Sequence, residues 1–276
     1  MLLIHLRLYK YFLKKESDYM DNFEKIAKVI NDAEKIVFLT GAGISTDSGI
    51  PDFKSADKEW KFSLPREHFI SEDFFRRKPK MFWPIYKDVF KTKVFDNYKP
   101  NFGHQFIANL EKMGKQVTVI TQNVDGLHKL AGSSDVFEVH GTLQTARCPK
   151  CGEVYDLKYI RNNEIPRCSR RKSDNKTCNF ILKPDVVLFG GDINYYKESF
   201  KVALESDVFI AIGTSLKVGP INQIPIQLYH NLYKDKEQTK IIINKDQTAL
   251  DYCFDIVIND GITETLKLVN EKLSSL

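Results

Sequence analysis

Residues 36–40 of this 276-residue chain (IVFLT) form an unbroken apolar run with β-branched members, which reads as a strand buried on both faces of a parallel sheet. The run empties into Gly41-Ala42-Gly43, where missing side chains permit a sharp turn and a close approach of backbone to a ligand. Ser45, Thr46, Asp47 and Ser48 follow as a polar stretch that reads as the start of a helix. Strand, glycine turn and helix start together can hold a diphosphate on backbone N–H groups. The spacing is not that of dehydrogenases: Gly49 comes too late for G-x-G-x-x-G, and no acid stands about twenty residues on for a ribose. Alone, the turn reads as an ordinary tight turn more readily than as a nucleotide site.

The chain around it alternates between two periodicities. Phe23, Ile26, Ala27 and Ile30 stand at helical spacing within Asn22 to Ala33. A helix is expected over His104 to Met113, with strands at Val117–Thr121, Asp135–His140, Asp185–Phe189, Asp207–Gly213, Thr239–Asn244 and around Val257. Ile262 to Leu273 reads as a closing helix. Strands alternating with helices predict an α/β fold, a doubly wound parallel sheet of Rossmann-like type. The expected large domain comprises residues 20–55, 101–145 and 184–276. An aromatic-rich helical insert (56–100) and a cysteine-bearing insert (146–183) would form a smaller domain, with a ligand cleft between the two. The aromatic residues read as core, with an acyl pocket as the alternative. Residues 1–19 read as an extension dispensable for activity.

Hydrophobic residues make up 42% of the chain, enough for a sizeable core, and a net charge of +5 with interspersed signs gives no reason to expect nucleic acid. No apolar run approaches the roughly twenty residues a bilayer demands, so no membrane partner is expected. Four of five cysteines fall in two pairs, Cys148/Cys151 and Cys168/Cys178. Four thiolates complete a tetrahedral zinc ion and leave no site for water, so a structural zinc in a reducing, cytoplasmic compartment is expected. Cys253 reads as a core thiol. Arg167, Arg170, Arg171, Lys172 and Lys176 crowd the second pair and read as a solvated tip, with docking of an acidic partner as the alternative.

GAGISTDSGIPDF (41–53), TQNVDGLH (121–128), VHG (139–141), the cysteine pairs, VVLFG (186–190) and GTSL (213–216) occur in an order that resembles the sirtuin family, bacterial type. The resemblance implies an NAD-dependent protein lysine deacylase, most simply a deacetylase, acting on acyl-lysine proteins or peptides. It implies His140 as catalytic base, suited by an imidazole pKa near working pH. His5, His68, His104, His128 and His230 have weaker claims. The same resemblance assigns Gln122 and catalytic Asn123 to the nicotinamide ribose and Asp125 to the carboxamide. Gly41, Ala42 and Gly43 would serve the diphosphate, and Asp52, Phe53 and Lys54 the neighbouring ribose. Gly213, Thr214, Ser215 and Asn244 would serve the adenosine side, and the backbone of Val187, Phe189 and Gly190 would pair with the peptide. Lys54 stands where the family usually has Arg, and Gly191 where it has Glu. Tyr86 is followed by Val89, so the Tyr-x-x-Arg of succinyl binders is missing and a neutral acyl group is expected. The competing readings are an ADP-ribosyltransferase or NAD hydrolase on the same pocket, and a zinc-ribbon nucleic-acid-binding module.

Overall fold

The computed structural model describes residues 21–51, 60, 62–91, 97–171, 176–230 and 237–276. Helix α1 (residues 21–32) seals Phe23, Ile26, Ala27 and Ile30 against the sheet. Strand β1 (Lys35–Thr40) follows. Its side chains alternate between two cores: Ile36 and Phe38 face that of α1, while Val37 and Leu39 face the opposite one. A strand covered on both faces has no need of polar alternation, which is why its sequence shows none.

The polar stretch after β1 is a 3-10 helix, Ala42–Ser48, where an α-helix start was expected. Gly49 ends it in the left-handed region, with φ 87°. Three short helices come next: α2 (Arg66–Phe69), α3 (Glu72–Arg77) and α4 (Pro79–Val89). Then α5 (Phe102–Lys112) leads to β2 (Gln116–Thr121), α6 (Leu127–Ala131) and β3 (Asp135–Glu138). Strands β4 (Gly141–Arg147) and β5 (Val154–Asp156), helix α7 (Leu157–Asn162) and strand β6 (Lys183–Val186) carry the cysteine segment. The chain closes with α8 (Tyr196–Glu205), β7 (Val208–Ile212), α9 (Gln223–His230), β8 (Thr239–Ile243), β9 (Ile256–Ile258) and α10 (Ile262–Leu273).

Six strands form one parallel sheet in the order β3-β2-β1-β7-β8-β9. Thr40 lies level with Thr121 and Ile212, and Ile212 with Ile243, so four strands end at one edge. Residues of α1, α5 and α10 pack one face, and residues of α8 and α9 the other. The order of strand addition reverses between β1 and β7, and the crevice beyond that point is where doubly wound sheets bind ligands.

Two expected strands differ in place. The third stops at Glu138, and Val139 and His140 form a turn. The one expected at Asp185–Phe189 does not enter the parallel sheet. Instead β6 joins a separate antiparallel sheet of order β5-β4-β6. An apolar run does not declare which sheet it will join, since burial on either satisfies it.

The helices between residues 66 and 89 and the cysteine segment share one core, in which Phe74, Phe82, Trp83 and Tyr86 meet Leu143, Ile160, Leu182 and Leu188. The Trp83 indole N–H donates to the Leu182 carbonyl at 2.9 Å across it. Tyr86 is buried and stacked on Phe82, so it is part of this interior.

The crevice closes by backbone contact. Gly43 N–H donates to Gly213 O at 2.8 Å. A Cβ on Gly213, whose φ is 62°, would stand 2.4 Å from Ile44 N. These glycines are therefore required by the neighbouring loop as well as by any ligand. Gly213→Ala is expected to cost at least ~2 kcal/mol, the sum of left-handed strain and steric displacement. Urea denaturation reads the loss, and an unchanged midpoint would refute this account.

Candidate active site

Loops leaving the aligned strand ends bring together the polar groups of the crevice. Asn101 caps α5 and sends its amide N–H to Ile44 O at 2.7 Å, fixing the 3-10 helix onto α5. Ser45, carried on that helix, is fully buried and is a hub. Its hydroxyl donates to Asp125 Oδ2 at 2.7 Å, accepts from Asn123 Nδ2 at 3.1 Å, and lies 3.4 Å from His104 Nε2. Asn123 Nδ2 also donates to Gly41 O at 3.1 Å, and the Leu127 N–H holds Asp125 Oδ1 at 2.9 Å. Sequence reasoning misses Ser45, one hydroxyl in a polar run. Its only signal is a place two residues beyond the glycine turn, which the fold makes central.

Burial raises the Asp125 carboxyl, against the opposing bonds from Leu127 and Ser45. Burial also lowers His104 to about 4 and His128 well below its ordinary value, and the two rings stand 4.8 Å apart. His128 Nε2 bonds Thr40 Oγ1 at 3.0 Å. Both imidazoles are thus neutral, built into the wall.

His140 is different. It stands in the turn after β3, only partly buried. Its Nδ1 lies 3.0 Å from Gln122 O, an acceptor, so Nδ1 carries the proton and Nε2 keeps a lone pair. Burial lowers its pKa and the Gln122 bond opposes the shift. Gly141 has φ 76°, and a Cβ there would meet Asp185 O at 1.9 Å. The glycine after the histidine is therefore fixed by the passage of β6. Among the described residues Gln122 Nε2 is buried without a hydrogen-bond partner, a donor available to a polar ligand.

On the far side of the switch point, Thr214 is buried with its hydroxyl accepting from Leu216 N at 3.2 Å, and Ser215 is exposed. Asn244 lies at the end of β8 and donates to Asp246 O at 2.6 Å. Asp52, Phe53 and Lys54 fall outside the described residues. In the segment after β6, Val187 N donates to His140 O at 2.8 Å and Phe189 N to Ile70 O at 2.9 Å, while Phe189 O accepts from Glu72 N at 3.1 Å. Phe189 thus already has both backbone groups engaged, and the open backbone begins at Gly190, where a Cβ would meet nothing within 4 Å.

The four cysteines converge. Their sulfurs all lie within 4.8 Å of one another, with Cys148 to Cys178 at 3.7 Å and Cys151 to Cys168 at 3.5 Å. Tetrahedral zinc with bonds of about 2.3 Å sets its sulfurs roughly 3.8 Å apart, so the group fits a zinc ion held by four thiolates. The wide second pair is a hairpin: Cys168 N donates to Phe180 O and Cys178 N to Arg170 O, with Arg171 bridged to Thr177.

Residues 41–220 match the Sir2 family. The chain belongs to the Sir2 family. Among curated relatives, NAD-dependent protein deacetylase 2 of Geobacillus kaustophilus is 44% identical, over 93% of this chain and 100% of that protein. An NAD-dependent protein deacetylase of Bacillus cereus is 44% identical over 94% of this chain and 99% of its own. Among solved structures, one of a study of the mechanism and regulation of Sir2 enzymes superposes with a TM-score of 0.76 at 33% identity, covering 92% of this chain and 98% of that one. A Sir2 protein with a p53 peptide and NAD+ superposes at 0.74 and 28% identity, over 91% and 98%. The Rossmann-like sheet beside a lobe with four zinc-spaced cysteines is that of a sirtuin.

Two measurements probe this site. Between pH 6.5 and about 4 the unfolded chain binds a proton at His104 that the folded sirtuin refuses, so stability falls as pH falls through that window. The full loss is about 3 kcal/mol, and urea midpoints measured across the window should show it, with a shallower slope in His104→Gln. Metal analysis should give about one zinc per chain. Cys168→Ser should lower both that content and Tm, and unchanged values would refute the structural role.

Proposed function

We propose that this sirtuin removes acyl groups, acetyl foremost, from protein lysines at the expense of NAD, yielding nicotinamide, an O-acyl-ADP-ribose and free lysine. The observation that carries the reading is the His140 imidazole, oriented by Gln122 O with Nε2 unprotonated, within a chain whose curated relatives are NAD-dependent protein deacetylases. NAD supplies a ribose carbon made reactive by departure of nicotinamide. His140 Nε2 takes the proton of a ribose hydroxyl, its N–H to Gln122 keeping the ring in place. Asn123, held by Gly41 and Ser45, and the unpaired amide of Gln122 orient the nicotinamide-side ribose. Asp125 faces the carboxamide.

In this reading Gly41, Ala42 and Gly43 line the diphosphate, Asp52, Phe53 and Lys54 cover the ribose, and Gly213, Thr214, Ser215 and Asn244 receive the adenosine side. The peptide lies along the segment of Val187, Phe189 and Gly190, with backbone pairing expected from Gly190 on, because Val187 N and both backbone groups of Phe189 are already bonded within the chain. The chain divides into a cofactor domain around the parallel sheet and a small domain of the helical insert (56–100) and the cysteine segment, whose bounds widen from the expected 146–183 to 141–188 because β4 and β6 join its sheet and core, with Cys148, Cys151, Cys168 and Cys178 holding one structural zinc. No helix among the described residues is long and apolar enough to cross a membrane. Reduced cysteines suit a cytoplasmic place.

His140→Ala is expected to lose on the order of 10²–10⁴ in deacylation rate, read by mass spectrometry of an acetyl-lysine peptide. Because the folded pKa of His140 is lowered, the base form persists below the ordinary histidine value and the acid limb of kcat/KM should fall under pH 6.5. Turnover near the wild-type rate would remove His140 from the role. Nicotinamide release that does not depend on acyl-peptide would favour NAD hydrolysis instead.

A further inference from the structure

A backbone ladder runs from the catalytic turn to the helical part of the small lobe. His140 O takes the N–H of Val187, Ile70 O that of Phe189, and Phe189 O that of Glu72. Glu72 is the first residue of α3, behind the Ser71 cap, so its side chain projects from a fixed point. It projects over Gly191. A Cβ at Gly191 would stand 3.3 Å from Glu72 Oε1 and 3.5 Å from its Cγ. The rim beside the open backbone at Gly190 therefore holds a carboxylate that comes from another element, in a space a side chain at 191 would contest.

The charges at this rim are few. Lys183 Nζ pairs with Glu72 Oε1 at 2.5 Å, both side chains about a third exposed (36% each). Among the described residues no hydrogen bond or ion pair engages Oε2. Asp192, the next charged residue along the segment, is exposed. Neighbouring Asp73 is matched by Arg76 and Arg77, and Asp185 by Arg147. Glu72, Lys183 and Asp192 sum to one negative charge among themselves, and the second arginine beside Asp73 balances it, so the rim is marked by the position of the Glu72 carboxylate and not by net charge.

We propose that Glu72 is a specificity-determining residue for the peptide: its free carboxylate oxygen binds a cationic side chain flanking the acyl-lysine. The substrate class is then acyl-lysine in a basic sequence. This rests on the deacylase reading above.

The test compares kcat/KM on three acetyl-lysine peptides that differ only in flanking residues, Lys, Ala or Glu. Wild type should prefer the Lys-flanked over the Glu-flanked peptide by about fivefold, the reach of a partly exposed ion pair. Glu72→Gln should bring that ratio to about one. Lys183→Met, which frees the carboxylate of its internal partner, should raise it. The opposite signs separate recognition from a structural tie, because a tie between α3 and β6 would make both variants slow all three peptides alike. That outcome, or a wild-type enzyme indifferent to flanking charge, overturns the proposal alone. A wild-type enzyme that turns over none of the peptides overturns the deacylase reading, and this inference with it.

Discussion

Two loops leaving neighbouring strands meet backbone to backbone at Gly43 and Gly213, and the site is arranged around that contact. The β1 loop cannot run straight on, because Gly213 blocks it, and so it winds into a 3-10 helix. That winding buries Ser45, where Asn123 and Asp125 arriving from β2 find a hydroxyl to share. A 3-10 helix tolerates such a short, tight path where an α-helix would need more length to close its first turn. The polar cluster is therefore a consequence of how closely two chain segments approach. Desolvation then keeps its histidines neutral and raises its carboxyl.

Much of the parallel sheet was legible because strands covered on both faces are written as apolar runs. Ile36 to Thr40, Val117 to Thr121 and Thr239 to Ile243 were readable from burial alone, and Ile262 to Leu273 from its helical stripe. What periodicity left out was partnership. Of the run after Asp185, Val186 and Leu188 are buried, yet in the core of the small antiparallel sheet and the neighbouring helices, while Phe189 stays exposed. Likewise the glycines of the first loop read as room for a ligand, whereas their nearest demand is the carbonyl and Cα of Gly213. A sequence records that a side chain is missing without recording which neighbour excludes it.

The site divides in the same way. Residues inside ordered motifs, such as His140 and Asn123, were legible through family resemblance. Ser45 and Glu72 act through contacts far along the chain and left no local pattern, and Asn101, recognisable locally as a helix cap, gave no sign of its bond to Ile44, 57 residues away. The cysteine spacing was legible as a metal site, while its unusual width is explained by paired backbone on either side of the gap, Arg167 bridged to Ile181 and Arg171 to Thr177. The loop length between ligands is free as long as the hairpin ladder returns Cys178 to Cys168.

The turn holding His140 is shared property. Its carbonyl is bonded to the strand leaving the zinc lobe, and Leu143 N two residues beyond Gly141 is bonded to Val124 O in the loop that carries Asp125. The imidazole thus stands on backbone tied at once to the loop after β2 and to the antiparallel sheet, so a displacement of either is transmitted to its ring and to the Gln122 carbonyl that orients it.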